Sequence, residues 1–147
     1  MPTAGASTRR QARERALGLL YEAETKGQSP QAVVDAQPAP PDPFAVDVAV
    51  GVAANAGEID GLIRRFSRGW TPERMPVLDR LVLQMGSYEL LRRRDVPVPA
   101  VISEAVELAK RFSTDDSSRF VNGVLARIAE EVRDGRPRPG PPSDAES

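Results

Sequence analysis

Cysteine and histidine are both absent from this 147-residue chain. Without them there is no thiolate nucleophile, no imidazole acid–base catalyst and none of the usual zinc ligand sets. A chain free of Cys also fits a reducing compartment. No apolar run approaches the ~20 residues that a membrane-spanning helix needs. The N-terminus, MPTAGASTRR, lacks the apolar centre of a signal peptide, so the expected location is cytoplasmic. An excess of one charge is missing too, with 20 basic and 21 acidic residues and a net charge of −1. A protein that coats nucleic acid non-specifically is more basic than this, so any nucleic-acid contact has to come from a local patch. There is no Gly-rich phosphate loop, no GxSxG and no metal-ligand spacing, and neither an enzyme nor a cofactor is expected. Strand alternation of useful length and internal repeats are also lacking. The chain reads as all-α, with about seven helices, and is long enough for one domain with a proper core.

The stretch around which the rest is organised is VLDRLVLQMGSYELL, Val77 to Leu91. At helical spacing Leu78, Leu81, Val82, Met85 and Glu89 share one side. Val77 and Tyr88 lie at one flank, and Leu83 and Leu90 at the other. A helix apolar most of the way round must be buried on several sides, so other helices are expected around it. Pro76 suits its first turn. Arg92, Arg93 and Arg94 suit the negative end of its dipole, and Pro97 and Pro99 stop it. Gly86 is expected to let a neighbouring helix approach closely.

Upstream, Ser7 or Thr8 can cap a first helix that runs to about Lys26 and ends at Gly27. Its apolar stripe is Ala12, Ala16, Leu17, Leu20, Tyr21 and Ala23. A short helix follows Pro30. The stretch QPAPPDP, 37–43, is a connector that neither helix nor central strand accommodates. Asp42 caps the next helix, Phe44 to about Ala56, in which Gly51, with Gly57 after it, marks weakness or close packing. A further helix spans Glu58 to Arg68, with Ile59, Leu62, Ile63 and Phe66 inward and Arg64, Arg65 and Arg68 outward. Gly69-Trp70 closes this half. Downstream of the central helix, Pro99 to Phe112 carries the stripe Ile102, Ala105, Val106, Ala109 and Phe112. A last helix opens near Asp115-Asp116 and turns Phe120, Val121, Val124, Leu125, Ile128 and Val132 inward. The tail from residue 134, rich in Pro, Gly and Ser, reads as disordered, and residues 1–8 as a flexible lead-in.

Arg9, Arg10 and Arg13 fall within about 100° of arc on the first helix, at the azimuth of the stripe that begins at Ala16. Its apolar part can dock while the basic turns project past it. Arginines there can take phosphates bidentately and stack on unpaired bases. The competing reading is a solvated helix start, which charge runs usually are. Positive charge at a helix N-terminus is mildly unfavourable, which argues for another use. Glu104 and Glu107 could form a carboxylate pair, but Lys110 and Arg111 account for Glu107 more simply.

The segment DRLVLQMGSYELLRRRDVPVPAVISEAVELAKRFSTDDSSRFVNGVLARIA resembles the C-terminal half of the NusB family of bacterial transcription antitermination factors. YEL, DVP, SEAVELAKRF and FVNGVL agree in order and spacing, and the likeness extends upstream through GVAANAGEIDGLI to RRQARERALGLLYE. It covers roughly residues 9 to 132. The chain departs from the family at Gln11, where a third Arg often stands, and in its Pro-rich connector. The resemblance implies two small three-helix bundles packed crosswise. That places a NusB-like helical domain at 9–133, with sub-bundles at about 9–70 and 71–133.

It also implies binding of boxA-type single-stranded RNA from ribosomal RNA leaders, together with the ribosomal protein NusE, in an antitermination complex on RNA polymerase. Arg9, Arg10 and Arg13 match its arginine-rich RNA motif, and Asp79 matches a partner-facing acid. Asp116 and Phe120 match the rim where RNA and partner meet, Asp116 toward the RNA and Phe120 toward the partner. From the residues alone, Asp79 reads as a first-turn acid and Phe120 as core. The family also admits a homodimer, in which a second copy would cover the RNA face. Two other functions compete. One is a relative of the NusB-like domain of ribosomal RNA cytosine methyltransferases, which need a following Rossmann-type domain for which this chain ends too early. The other is a helical scaffold that binds only protein.

Overall fold

The most apolar stretch of the sequence is also the most enclosed helix. In the computed structural model, which describes residues 8–133, helix α5 runs Val77–Arg92, and every residue from Leu81 to Leu91 is buried. Around it stand α1 (Arg9–Lys26), α2 (Pro30–Asp35), α3 (Pro43–Ala54), α4 (Ala56–Phe66), α6 (Val98–Phe112) and α7 (Asp115–Arg133). A 3₁₀ turn, Pro72–Arg74, precedes α5. Among the described residues the regular structure is thus helical, with no strand, as the absence of strand patterning predicts. Residues 1–7 of the lead-in and the Pro-rich tail lie outside the described residues.

Helix α5 packs against α1, α3, α4, α6 and α7. Helices α1, α2 and α3 also pack on one another, as do α5, α6 and α7. Two glycines set how close the neighbours come. A Cβ on Gly86 would lie 2.7 Å from Leu125 Cδ1, and one on Gly51 would lie 2.3 Å from the Tyr88 ring. Gly86 thus lets α7 sit against α5, and Gly51 admits Tyr88. Gly57 has no such neighbour.

Local chemistry fixes the helix ends. The Ser29 hydroxyl accepts from the Ala32 N–H ahead of Pro30, and the Asp42 carboxylate accepts from the Phe44 N–H ahead of Pro43. Gly27 closes α1 at φ 63, a conformation that costs glycine little. The expected span of α4 is corrected: it begins at Ala56 and stops at Phe66. Arg68 (φ 54) and Gly69 (φ 97) are both left-handed and turn the chain away. The α4 end is held by α7, whose Arg127 donates to the Phe66 carbonyl from Nε at 3.1 Å and Nη2 at 2.9 Å.

Two members of the expected apolar stripes are not inward. Tyr21 and Phe112 are 47% and 43% exposed, and Leu19, fully enclosed, takes part in the core instead. Helix α1 lies among α2, α3 and α5, so its buried arc is broader than a single stripe. Phe112 ends α6, with the Arg111 guanidinium 5.1 Å from its ring centre.

The end of α5 is also not what dipole reasoning alone suggests. Arg133 of α7 donates to the carbonyls of Leu90, Glu89, Arg93 and Val96 at 2.6–2.9 Å. The Arg92–Arg94 run reaches outward instead, Arg92 to Glu58, Arg93 to Asp47 and Asp95, and Arg94 to the Val132 carbonyl.

Leu81 is 3% exposed in the middle of this packing. Leu81→Ala should lower stability by about 2–5 kcal/mol, the range for truncating a buried leucine, measured by denaturant unfolding. A change within about 0.5 kcal/mol would be the surface response and would refute its place in the core.

Candidate nucleic-acid interface

The candidate surface starts at the first turn of α1. Thr8 and Gln11 form a reciprocal capping box, each side-chain oxygen accepting the other's backbone N–H at 2.9 Å. Gln11, the departure from the family pattern, therefore has a structural use here. Arg9, Arg10 and Arg13 follow, and the structure separates them.

Arg13 is the correction. It is expected to project with the other two, but its side chain is 5% exposed and forks onto Glu89 of α5, whose side chain is 3% exposed. The contacts are Nε to Oε2 at 2.8 Å and Nη2 to Oε1 at 2.7 Å. The reason is angular. At 100° per residue Arg9 and Arg10 sit about 40° and 60° to either side of Arg13. Arg13 is the middle of the arc and meets α5, while its neighbours reach the flanking helices. The signal was present in the sequence: Glu89 is a lone carboxylate on an apolar face, and a buried charge requires a partner.

Arg10 turns toward α6 and forks onto Glu104 with both contacts at 3.0 Å. Its side chain stays 54% exposed. The hydrogen bond from Arg10 holds the Glu104 carboxyl below its ordinary range, and Glu104 raises Arg10 in turn. Arg111, expected to pair with Glu107, pairs with Glu14 of α1 instead. Arg9 turns toward α3, with its guanidinium carbon 4.1 Å from the centre of the Phe44 ring. The same ring has Arg93 at 4.7 Å and Arg13 at 5.3 Å. Arg93 is raised above its ordinary value, first by its hydrogen bonds to Asp95. Asp47 accepts from Arg93 at 3.1 Å and from the Tyr88 hydroxyl at 2.8 Å. Burial and then Asp47 push Tyr88 up to about 12.

Asp79, Asp116 and Phe120 converge on one groove of about 220 Å³, completed by Trp70, Met75, Pro76 and Ser117. Asp79 lies beneath it, 6% exposed. One of its oxygens accepts from the Ser113 hydroxyl at 2.7 Å and the other from Ser117 at 2.8 Å. It ties the α6–α7 turn to α5, so the acid that the resemblance turns toward a partner lies beneath the groove, with both oxygens held by serines. Asp116 is exposed and pairs with Arg119 on its own helix. Phe120 is half-buried and meets Trp70 edge-on, with ring centres 6.5 Å apart. Trp70, 52% exposed, reads in the sequence as the end of a half, in the region where the two sub-bundles are expected to meet. The Ser67 hydroxyl, donating to the Trp70 carbonyl, pins that turn.

Helix α6 links the two regions, meeting Arg10 through Glu104 and Asp79 through Ser113. They are separated along it by about nine residues, or ~14 Å at 1.5 Å per residue. Among the described residues no cluster of carboxylates could hold a metal ion, and no helix is long and apolar enough to cross a membrane.

The profile of the NusB family matches residues 10–130. A transcription antitermination protein NusB from Saccharopolyspora erythraea is 48% identical, covering 82% of this chain and 86% of the relative. Another, from Kineococcus radiotolerans, is 44% identical over 84% and 94%. Among solved structures, NusB of T. maritima superposes with a TM-score of 0.74 at 35% identity, covering 85% of this chain and 92% of that one. A complex of the antitermination factors NusB and NusE with double-stranded RNA matches at 0.71 and 25% identity, covering 83% and 96%.

Arg13→Ala should lower stability by about 3–5 kcal/mol, because it strands a buried carboxylate. Pairing it with Glu89→Leu should restore most of that, read as the unfolding midpoint. A single variant that unfolds like the wild type would show that the two charges do not depend on each other.

Proposed function

The chain belongs to the NusB family, and from that premise we propose that it is an RNA-binding transcription antitermination factor. Its RNA is boxA-type single-stranded sequence from ribosomal RNA leaders, and its partner in binding is the ribosomal protein NusE. The observation that carries this reading is the pair of exposed guanidiniums, Arg9 and Arg10, held at the start of α1 by Phe44 and Glu104. Exposed, fixed arginines suit phosphates and unpaired bases. Similarity to a NusB that is found with NusE and RNA supports the same partners here. In this reading the two proteins load onto nascent RNA and join an antitermination complex on RNA polymerase. A homodimer would compete for the RNA face.

Arg13 takes a different part from its neighbours, as the buried post that orients the helix carrying them. The groove of Asp79, Asp116 and Phe120 forms the rim where RNA and partner meet. Asp79 acts there by fixing the turn, and Phe120 offers its ring edge.

Filter binding of a boxA oligonucleotide, with and without the ribosomal protein, tests the function. A scaffold that binds only protein would hold the partner and leave RNA in solution. Joint replacement of Arg9 and Arg10 by Ala should weaken RNA binding and flatten its salt dependence. Two lost phosphate contacts on single-stranded RNA correspond to a change in log–log slope of about 1.4. An unchanged affinity and slope would make the cluster a solvated helix end.

Asp116→Asn removes a negative charge from the rim and releases Arg119. Asn keeps a side-chain oxygen near the start of α7, so folding should be nearly unchanged. RNA affinity should hold or rise, most at low salt, where the Debye length is ~30 Å at 0.01 M. A clear loss of affinity at unchanged thermal stability would overturn this repulsion account.

A further inference from the structure

We propose that Phe44 is a positioning residue for RNA binding, a ring shelf that presets the Arg9 guanidinium before RNA arrives. The inference rests on the functional reading above and adds to it a residue with no charge and almost no exposed surface.

Phe44 is 7% exposed, so it offers RNA little area of its own. Its location is over-determined. Asp42 caps its N–H at 2.7 Å and Pro43 fixes the turn before it. The ring has guanidinium carbons at 4.1, 4.7 and 5.3 Å, those of Arg9, Arg93 and Arg13. Three cations around one ring repel one another, and the arrangement persists because two of them are neutralised. Arg13 is paired with Glu89, and Arg93 with Asp47 and Asp95. Arg9 is the exposed member, and the ring is what it rests on.

The consequence is for entropy and aim. A free arginine loses much rotamer freedom when a ligand fixes it. One already lying over a ring has lost part of that freedom before binding, and preorganisation of this kind raises affinity without adding a contact. Phe44 thus transmits to Arg9 the geometry that the α3 cap imposes. Arg10 obtains the same service from Glu104, but at the expense of charge, because a carboxylate cancels part of what phosphate would see. A ring holds the cation and leaves its charge intact.

The test is a double-mutant cycle read with a boxA-type single-stranded oligonucleotide. Phe44→Leu removes the aromatic face and keeps an apolar filler. It should lower RNA affinity about two- to five-fold, the range for an exposed cation–π contact. Phe44→Tyr, which keeps the ring, should bind like the wild type. In an Arg9→Ala background, Phe44→Leu should have no further effect on RNA binding, because the two guanidiniums left on the ring, Arg13 and Arg93, are already paired with carboxylates. Phe44→Met serves as a second ringless variant with more of the original bulk, so the cycle does not depend on one substitution folding.

Additive losses from Phe44→Leu and Arg9→Ala would overturn the proposal, since a general packing defect acts whether or not Arg9 is there. So would a loss with Arg9→Ala alone and none with Phe44→Leu and Phe44→Met, which would leave the functional reading standing. If the wild type binds no RNA even with the ribosomal protein present, both fall together.

Discussion

The buried pair of Arg13 and Glu89 is the constraint on which the rest of the arrangement depends. Each charge alone would be costly in the interior, and each is tolerable because the other meets it through two hydrogen bonds. The pair also fixes a rotation. Helix α5 is enclosed from five sides and has little freedom to turn. Fastening the middle arginine of the α1 cluster to it decides which face of α1 looks inward. Arg9 and Arg10 are then delivered to opposite flanks, one onto Phe44 of α3 and the other onto Glu104 of α6. A hydrophobic residue at position 13 could pack as well. It would not select this rotation by a directional bond.

The same chemistry recurs at the helix ends. Carbonyls at the ends of α4 and α5 are met by arginines from α7, Arg127 and Arg133. Arg133 reaches four carbonyls from one side chain, which the planar fork of a guanidinium allows and the point charge of a lysine matches poorly. Burial lowers the pKa of Arg133, but from so high a starting value that it stays charged at any ordinary pH. Helix α7 thereby pins both helices, and Gly86 lets it lie close enough to do so.

The central helix, the all-helical class, the Pro-led helix starts and the Gly27 stop were legible because each rests on local chemistry: periodicity, a missing N–H, a left-handed turn. The role of Arg13 was not, because three arginines on one arc look alike until a neighbouring helix arrives. Glu89 was the clue, a carboxylate in a stripe otherwise apolar. Tyr21 and Phe112 were misplaced for the complementary reason, since period alone does not say where a neighbouring helix ends. Trp70 reads in the sequence as the boundary between the halves, and nothing local marks its ring as exposed. Its exposure depends on the left-handed turn at Arg68 and Gly69 and on the Ser67 hydroxyl. Phe44 reads in the sequence as the first residue of a helix, and its importance comes from three cations that α1 and the end of α5 bring to its ring.

The charge at this surface also bears on why the functional reading includes a protein partner. Net charge is −1, and of the three clustered arginines only Arg9 and Arg10 face solvent. Arg10 already shares its charge with Glu104, and Asp95 lies near enough to feel Arg9. Two such guanidiniums supply a weak, strongly screened attraction to a phosphate chain, since affinity from backbone contacts grows with the number of phosphates neutralised. In the proposed reading, a surface this lightly charged would hold bulk RNA only weakly, which suits a protein that must find one short site. It reaches high affinity only if further contacts are added from outside. In the proposed reading, the groove beside the α6–α7 turn would be the place to add them. It is apolar and edged by aromatic rings, and its turn is held firm by Asp79, so a partner seated there would extend the RNA track without having to order it first.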